Sequence, residues 1–268
     1  MPSRHSTSAP ERRRRALLLS LGPLCTIGLQ GCAARSAGSA AQPPAALAPE
    51  TAVGPFTALL SGAHRSPRNT ARDAARHPDA VLAFFGVRPD SRVVEILPGS
   101  GGYYMEILAP YLRARGQYIA ANRDASAPPA YLADHQRLLE RLRAQPDLYG
   151  AVEVTPFNAD LHAIAPAGSA DFVLTFRNLH NWMERNELSA SLRAFHRALK
   201  PGGVLGVVDH RGRTDQSQQA QMHNGYVRED VAIALIEQAG FQLAGRSEVN
   251  ANPRDTKDHP EGVWTLPP

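Results

Sequence analysis

Cysteine is almost missing from this 268-residue chain, and the two that occur, Cys25 and Cys32, both lie near the N-terminus. The rest of the chain has no disulfide framework, no cysteine-based metal site and no thiol nucleophile. A basic surface is missing too. Lys and Arg number 29 against 25 Asp and Glu, but residues 1–31 alone hold five arginines (Arg4, Arg12, Arg13, Arg14 and Arg15) and one acid, Glu11. What remains is balanced at 24 of each sign, so no nucleic-acid partner is expected. No internal repeat is visible, and no apolar run reaches the roughly 20 residues needed to cross a bilayer. His162, His180, His210 and His223 form no close local motif of the H-E-x-x-H kind, so no metal is expected.

The N-terminus carries a pattern of its own. Arg12, Arg13, Arg14 and Arg15 precede an apolar run from Ala16 to Leu29, interrupted by Gly22, Pro23 and Gly28. A basic segment followed by a short apolar core is the signature of a secretory signal. The run closes on Leu29-Gln30-Gly31-Cys32, which resembles a bacterial lipobox, with Gln30 where a small or aliphatic residue is usual. The arginines also resemble a twin-arginine signal, and an ordinary signal with Cys32 incidental stays open. From Ala33 to about Thr51 the composition is Ala, Ser, Pro and Gly, too poor in large apolar groups to order itself. The expected organisation is an export signal over 1–31, a flexible linker over 32–54 and one domain over 55–268. The expected location is the periplasm, with a membrane anchor through lipidated Cys32.

Beyond residue 55 short β-rich runs alternate with amphipathic helical segments. Strands are predicted at Ser91 to Leu97, Gln117 to Ala121, Ala151 to Phe157, Ala170 to Phe176 and Val204 to Asp209, with a further strand at Phe241 to Val249. Helices are predicted over Tyr103 to Arg115, Tyr131 to Arg143, Glu187 to Leu199 and Glu229 to Ala239. This alternation predicts an α/β fold, a Rossmann-like and mostly parallel sheet with helices on both faces. Ligands of such sheets bind at the carboxyl ends of the strands, where this chain collects its glycines and polar residues.

The segment Val93 to Tyr104, VVEILPGSGGYY, runs from a strand through glycines into a helix, letting backbone pass close to a nucleotide. Alone, such a loop is equally a tight strand–helix turn. A dinucleotide fingerprint wants glycine at the position of Tyr104, which counts against an NAD- or FAD-dependent oxidoreductase.

With these residues the chain resembles the class I S-adenosylmethionine-dependent methyltransferases. Glu95 matches the acid at the end of the first strand, and Gly99 and Gly101 match the second and third loop glycines; Leu97 stands where the first is usual. The resemblance implies that Glu95 helps hold the methionine amino group and that the glycines admit the methionyl and ribose portions. Asn122 closes the second predicted strand where the family usually has an acid on the ribose hydroxyls, and an amide is a weaker bidentate acceptor. Asp124 is an alternative two residues on. Asn158-Ala159-Asp160-Leu161 resembles the adenine-binding segment, with Asp160 accepting from the adenine amino group. SADFVLTFRNLHNW and RALKPGG resemble the fourth strand with its loop and the turn before the fifth. PGSGGYYMEILAPYL, FRNLHNW and VVDHRG resemble a group of predicted exported bacterial methyltransferases. In that group a final antiparallel strand is expected after WTLPP; its absence here would leave an exposed edge.

The implied cofactor is S-adenosyl-L-methionine, cofactor contacts fall to Glu95, Gly99, Gly101, Asn122, Asp160 and Leu161, and the acceptor is of unknown identity. In-line methyl transfer needs mainly orientation, and a base only when the acceptor loses a proton. His180, after the fourth predicted strand, and His210, beside Asp209 after the fifth, are the candidate catalytic residues. Each is equally read as a histidine that only hydrogen-bonds backbone. Trp182, Tyr103 and Tyr104 could wall a cofactor or serve as packing. A rival is a cell-envelope binding protein that keeps the fold without catalysis, a reading Asn122 favours; the cytoplasmic origin of the cofactor raises the same question.

Overall fold

The computed structural model describes residues 13–21, 54–158 and 162–266. Seven strands are described: β1 (Arg15–Leu21), β2 (Arg92–Ile96), β3 (Gln117–Asn122), β4 (Glu153–Pro156), β5 (Ala170–Phe176), β6 (Leu199–His210) and β7 (Gln242–Ser247). They form one sheet in the order β4-β3-β2-β5-β6-β1-β7, and every pair is parallel.

Consecutive residues of the inner strands go to opposite faces, as a pleated backbone requires. Val94, Ile96, Ile119, Ala121, Val173, Leu205 and Val207 join one buried cluster with Leu192, Phe195 and Ala198 of helix Leu188–Ala198 and Ala232 and Ile236 of helix Glu229–Gln238. Val93, Tyr118, Ala120, Phe172 and Leu174 join the other, with Leu82 and Phe85 of helix Pro78–Phe85, Ile107 and Leu108 of helix Met105–Leu112 and Leu138 of helix Pro129–Ala144. The sheet is thus covered on both faces, which is why its strands read as near-continuous apolar runs. This is a Rossmann-like α/β fold, a parallel sheet with helices on both faces.

Two expectations are revised. The core of the apolar N-terminal run, Arg15–Leu21, is an inner strand here, pairing with β6 over seven residues and with β7 on its other side. The fold therefore extends beyond a boundary at residue 55. Leu18 is only 5% exposed, and the continuous apolar run that buries Ala16 and Leu18 on one face suits a sheet interior as well as a signal core. The second revision concerns the exposed edge expected from a missing final antiparallel strand: β1 pairs in parallel with both β6 and β7. Among the described strands no antiparallel one occurs.

Strand order reverses between β2 and β5, with β3 and β4 on one side and β6 on the other. The crevice at the carboxyl ends of these two strands is where open α/β sheets hold ligands.

Candidate active site

The loop after β2 opens with a residue in an unusual conformation. Leu97 has φ +53° and Gly99 φ +64°, both in the left-handed region. Glycine enters that region freely, whereas a side chain there costs roughly 1–2 kcal/mol. Leu97 holds it while its N–H donates to the Ala121 carbonyl (2.8 Å) and its side chain packs against the core. The residue after β5 repeats the feature: Arg177 has φ +62°, with its N–H donating to the Val208 carbonyl (2.7 Å). Strained backbone thus flanks the crevice on both sides, the pattern often found at functional sites. Asn178 ties the two sides together, its amide donating to the Ile96 carbonyl (3.4 Å) and the Thr175 hydroxyl (3.1 Å).

The glycine loop is clamped from outside by side chains that nothing local in the sequence singles out. Asn69 Nδ2 and Arg141 Nη1 both donate to the Gly101 carbonyl (2.9 Å each), and Arg141 also reaches the Ser100 carbonyl (3.1 Å). Asp134 accepts from the Ser100 hydroxyl (2.6 Å). Beneath them Glu106, fully buried in the helix that follows the loop, pairs with Arg65 Nε (3.1 Å) and with Arg141. Burial works to raise the Glu106 carboxyl, but hydrogen bonds with Asn69, Arg141 and Ser66 outweigh it and hold the group below the usual carboxylate range. The sequence signal for this network was an acid on an otherwise apolar helix; its partners come from distant segments.

The residues expected to hold a cofactor fall as follows. A Cβ added at Gly101 would meet nothing within 4 Å, so the loop leaves open space at its side. Asn122 is 3% exposed and its Nδ2 has no partner, an orphaned buried donor at the carboxyl end of β3 that a ribose oxygen would satisfy. Asp124 is already engaged, accepting from Asn158 Nδ2 (2.7 Å) and Ser126. Glu95 faces inward: Tyr118 donates its hydroxyl to Glu95 Oε2 (2.7 Å), and burial lifts the carboxyl to about 7 despite that bond. Asp160 and Leu161 lie outside the described residues. The open loop and the free amide fit an adenosyl nucleoside.

On the β5–β6 side, Asp209 accepts from the backbone N–H of Leu179 (2.9 Å) and of His210 (2.9 Å). Its Oδ1 also lies 3.4 Å from His180 Nδ1. That is within ion-pair range, yet the angle makes no hydrogen bond and His180 Nδ1 has no partner by that criterion. His180 and His210 are therefore brought to one carboxylate, but only His210 lines the adjoining cavity. Neither ring nitrogen of His210 has a partner, and burial, then repulsion from Arg177, lowers the ring to about 4 against the attraction of Asp209 and Asp255.

Of the three aromatic residues expected near a ligand, Tyr104 lines the cavity, stacked on Phe176 with centroids 3.8 Å apart. Tyr103 packs beneath Arg65, Arg72 and Arg76 and donates to Asp73 (2.6 Å). Trp182 is core: it packs on Phe157 and Phe195 in the cluster on the opposite face from Tyr104. Of the two roles open to it from the sequence, wall or packing, Trp182 takes packing, because helix Leu179–Glu184 turns the ring into the interior. Among the described residues no group of three or more His, Cys, Asp or Glu is placed to hold a metal, and no helix is long and apolar enough to cross a membrane.

A glycine loop at the switch point of a parallel sheet, with an orphaned polar group on the neighbouring strand end, is the arrangement in which open α/β sheets hold ligands. Residues 99–207 match the family model described as a methyltransferase domain. Over those residues the chain carries a methyltransferase domain, for which S-adenosyl-L-methionine is the implied cofactor. Solved structures with a similar course include a SAM-dependent methyltransferase from Aquifex aeolicus (19% identity over 65% of this chain and 83% of that one, TM-score 0.49). A putative methyltransferase from Bacillus halodurans matches at 14% identity over 62% of this chain and 69% of that one, TM-score 0.47. An arsenic(III) S-adenosylmethionine methyltransferase from Chlamydomonas reinhardtii matches at 16% over 58% and 52%, TM-score 0.43. Likenesses this distant say nothing about the acceptor. No curated protein matches the chain.

Proposed function

We propose that the protein transfers a methyl group in line to an acceptor seated at the carboxyl ends of β5 and β6, with the cofactor held at the ends of β2 and β3. The observation that carries this reading is the combination of open space beside Gly101 with the unpartnered amide of Asn122. When bound, the cofactor supplies an activated methyl; the protein's part is orientation and exclusion of water. Gly99 and Gly101 give the nucleoside room, Asn122 hydrogen-bonds a ribose hydroxyl, and Asp160 and Leu161 receive the adenine. Glu95, its Oε2 held by the Tyr118 hydroxyl, is assigned the methionine amino group.

His210 faces the acceptor, while His180 acts through Asp209 as a positioning residue. A ring lowered to about 4 is neutral at pH 7 and offers a lone pair. It orients a hydroxyl or amine by hydrogen bonding and receives a proton only when the acceptor releases one. If His180→Ala and His210→Ala both leave turnover unchanged, these roles are wrong.

The test of the main reading is calorimetry of S-adenosylhomocysteine with the full chain. Saturable binding, weakened about tenfold or more by Gly101→Val, is expected, since the added methyls enter the space the nucleoside needs. No binding at millimolar ligand leaves the non-catalytic binding protein ahead.

For location we propose export to the periplasm with Cys32 as the lipidated anchor, so that Cys32→Ser releases the protein from membranes. A second reading is favoured by the pairing of β1 with both β6 and β7: residues 15–21 stay in the folded protein and no processing occurs at Cys32. The mass of the protein isolated from its native cells separates the two.

A further inference from the structure

Beside the methyl-transfer crevice lies a cavity of about 310 Å³ lined by two arginines, Arg76 and Arg177. One wall is the Tyr104–Phe176 stack with Val208. Arg76, from the turn Asp73–Arg76, and Arg177, from the strained turn after β5, both line it. Among the described residues neither guanidinium forms an ion pair within 4.0 Å, although both side chains are half-buried. Burial, then repulsion from Arg177, holds Arg76 below its ordinary value; burial, with repulsion from Arg72 and against the pull of Asp209, does the same to Arg177.

Neither carboxylate within reach forms an ion pair with these guanidinium groups. Asp209 accepts two backbone N–H groups, and Asp255, the one acid in the lining, accepts from the Tyr226 hydroxyl (2.7 Å) and the Lys257 N–H (3.0 Å) through Oδ1, while its Oδ2 has no hydrogen-bond partner. A second, independent observation points the same way: His210 is 6% exposed, lines the cavity, and has no partner at either ring nitrogen. Two cations of like sign and an unpartnered imidazole around one partly apolar space are unfavourable when empty. Each is relieved by an anion.

We propose that this cavity receives the anionic end of the methyl acceptor, a carboxylate or phosphate monoester carried on an apolar, ring-sized body, held between Arg76 and Arg177 with His210 as a further hydrogen-bond partner. The proposal deepens the methyltransferase reading and, as a statement about the acceptor, rests on it. The aromatic stack and Val208 take the apolar body; the guanidinium groups fix which end enters first.

The test uses the full chain and three probes of similar shape: benzoate, phenyl phosphate and the uncharged benzamide, titrated at low salt, with S-adenosylhomocysteine titrated separately. At least one anion is expected to bind about tenfold or more tighter than benzamide, as a charge-assisted bond in a half-buried site requires. Which anion wins distinguishes carboxylate from phosphate. Arg76→Gln and Arg177→Asn, the latter chosen because asparagine tolerates left-handed backbone, are each expected to remove most of that preference, with thermal melting checking that the variants fold. Equal affinity for benzamide and both anions, no anion binding at millimolar probe, or a preference unchanged in both folded variants overturns the proposal. If S-adenosylhomocysteine fails to bind while the anion preference holds, the methyltransferase reading falls and the anion site stands.

Discussion

Leu18 separates two accounts of the N-terminus. It belongs to an apolar run that reads as a signal core, yet it is 5% exposed inside β1 and packs in the same cluster as Val207 and Ala232. Leu18→Ala in the full chain removes a buried branched side chain from the sheet interior. Comparable core truncations cost about 2–5 kcal/mol, and we take about 3 because the adjoining strands fix the backbone and limit collapse into the cavity. With a urea slope of about 2–3 kcal/mol/M, the unfolding midpoint should fall by roughly 1 M. A chain beginning at Ala33 loses far more. β7 pairs with no other described strand, so it would lose its ladder along with one side of β6. Against a total of about 5–15 kcal/mol that is a large fraction of stability. If both the Leu18→Ala chain and the shortened chain unfold at the same midpoint as the full chain, β1 is no part of the stable fold and the argument from its pairing is refuted.

Other consequences follow from the buried charges. The Glu95 carboxyl is raised to about 7 from its unfolded value near 4.5, so the native state holds the proton more tightly. Stability conferred by this group is present below about 4.5 and is lost as pH rises to about 7; Glu95→Gln should flatten that fall, worth on the order of 3 kcal/mol, in unfolding curves taken from pH 5 to 8. Glu106 has the opposite sign: its carboxyl is lowered, so its contribution is present above the unfolded value and disappears as pH falls through the folded one. Arg65→Met leaves Glu106 with one guanidinium fewer in a buried site and should cost about 3–5 kcal/mol in denaturant unfolding; an unchanged midpoint would show that Arg141 and the backbone suffice. Tyr104→Ala removes one face of the Phe176 stack and should weaken benzoate binding about tenfold, whereas unchanged affinity would exclude that wall from the site.

The alternation of β-rich runs and amphipathic helices determined the parallel sheet, because strand and helix periods are local and the short crossovers allow few alternatives. The glycines after Glu95 and the polar ends of the fourth and fifth predicted strands marked where a ligand would sit, since strand ends in such a sheet converge whatever the details. Leu97 also showed in the sequence as a residue where glycine is usual, and its positive φ is the physical counterpart. Only tertiary structure decided that the N-terminal apolar run is an inner strand: a continuous apolar segment satisfies a signal core and a sheet interior equally, and the choice depends on strands some two hundred residues away. It likewise decided that Trp182 points into the core, that His210 and not His180 reaches the cavity, and that Arg76 and Arg177 share it. Those outcomes rest on long-range distances and on the absence of a paired carboxylate, which no local pattern of residues encodes.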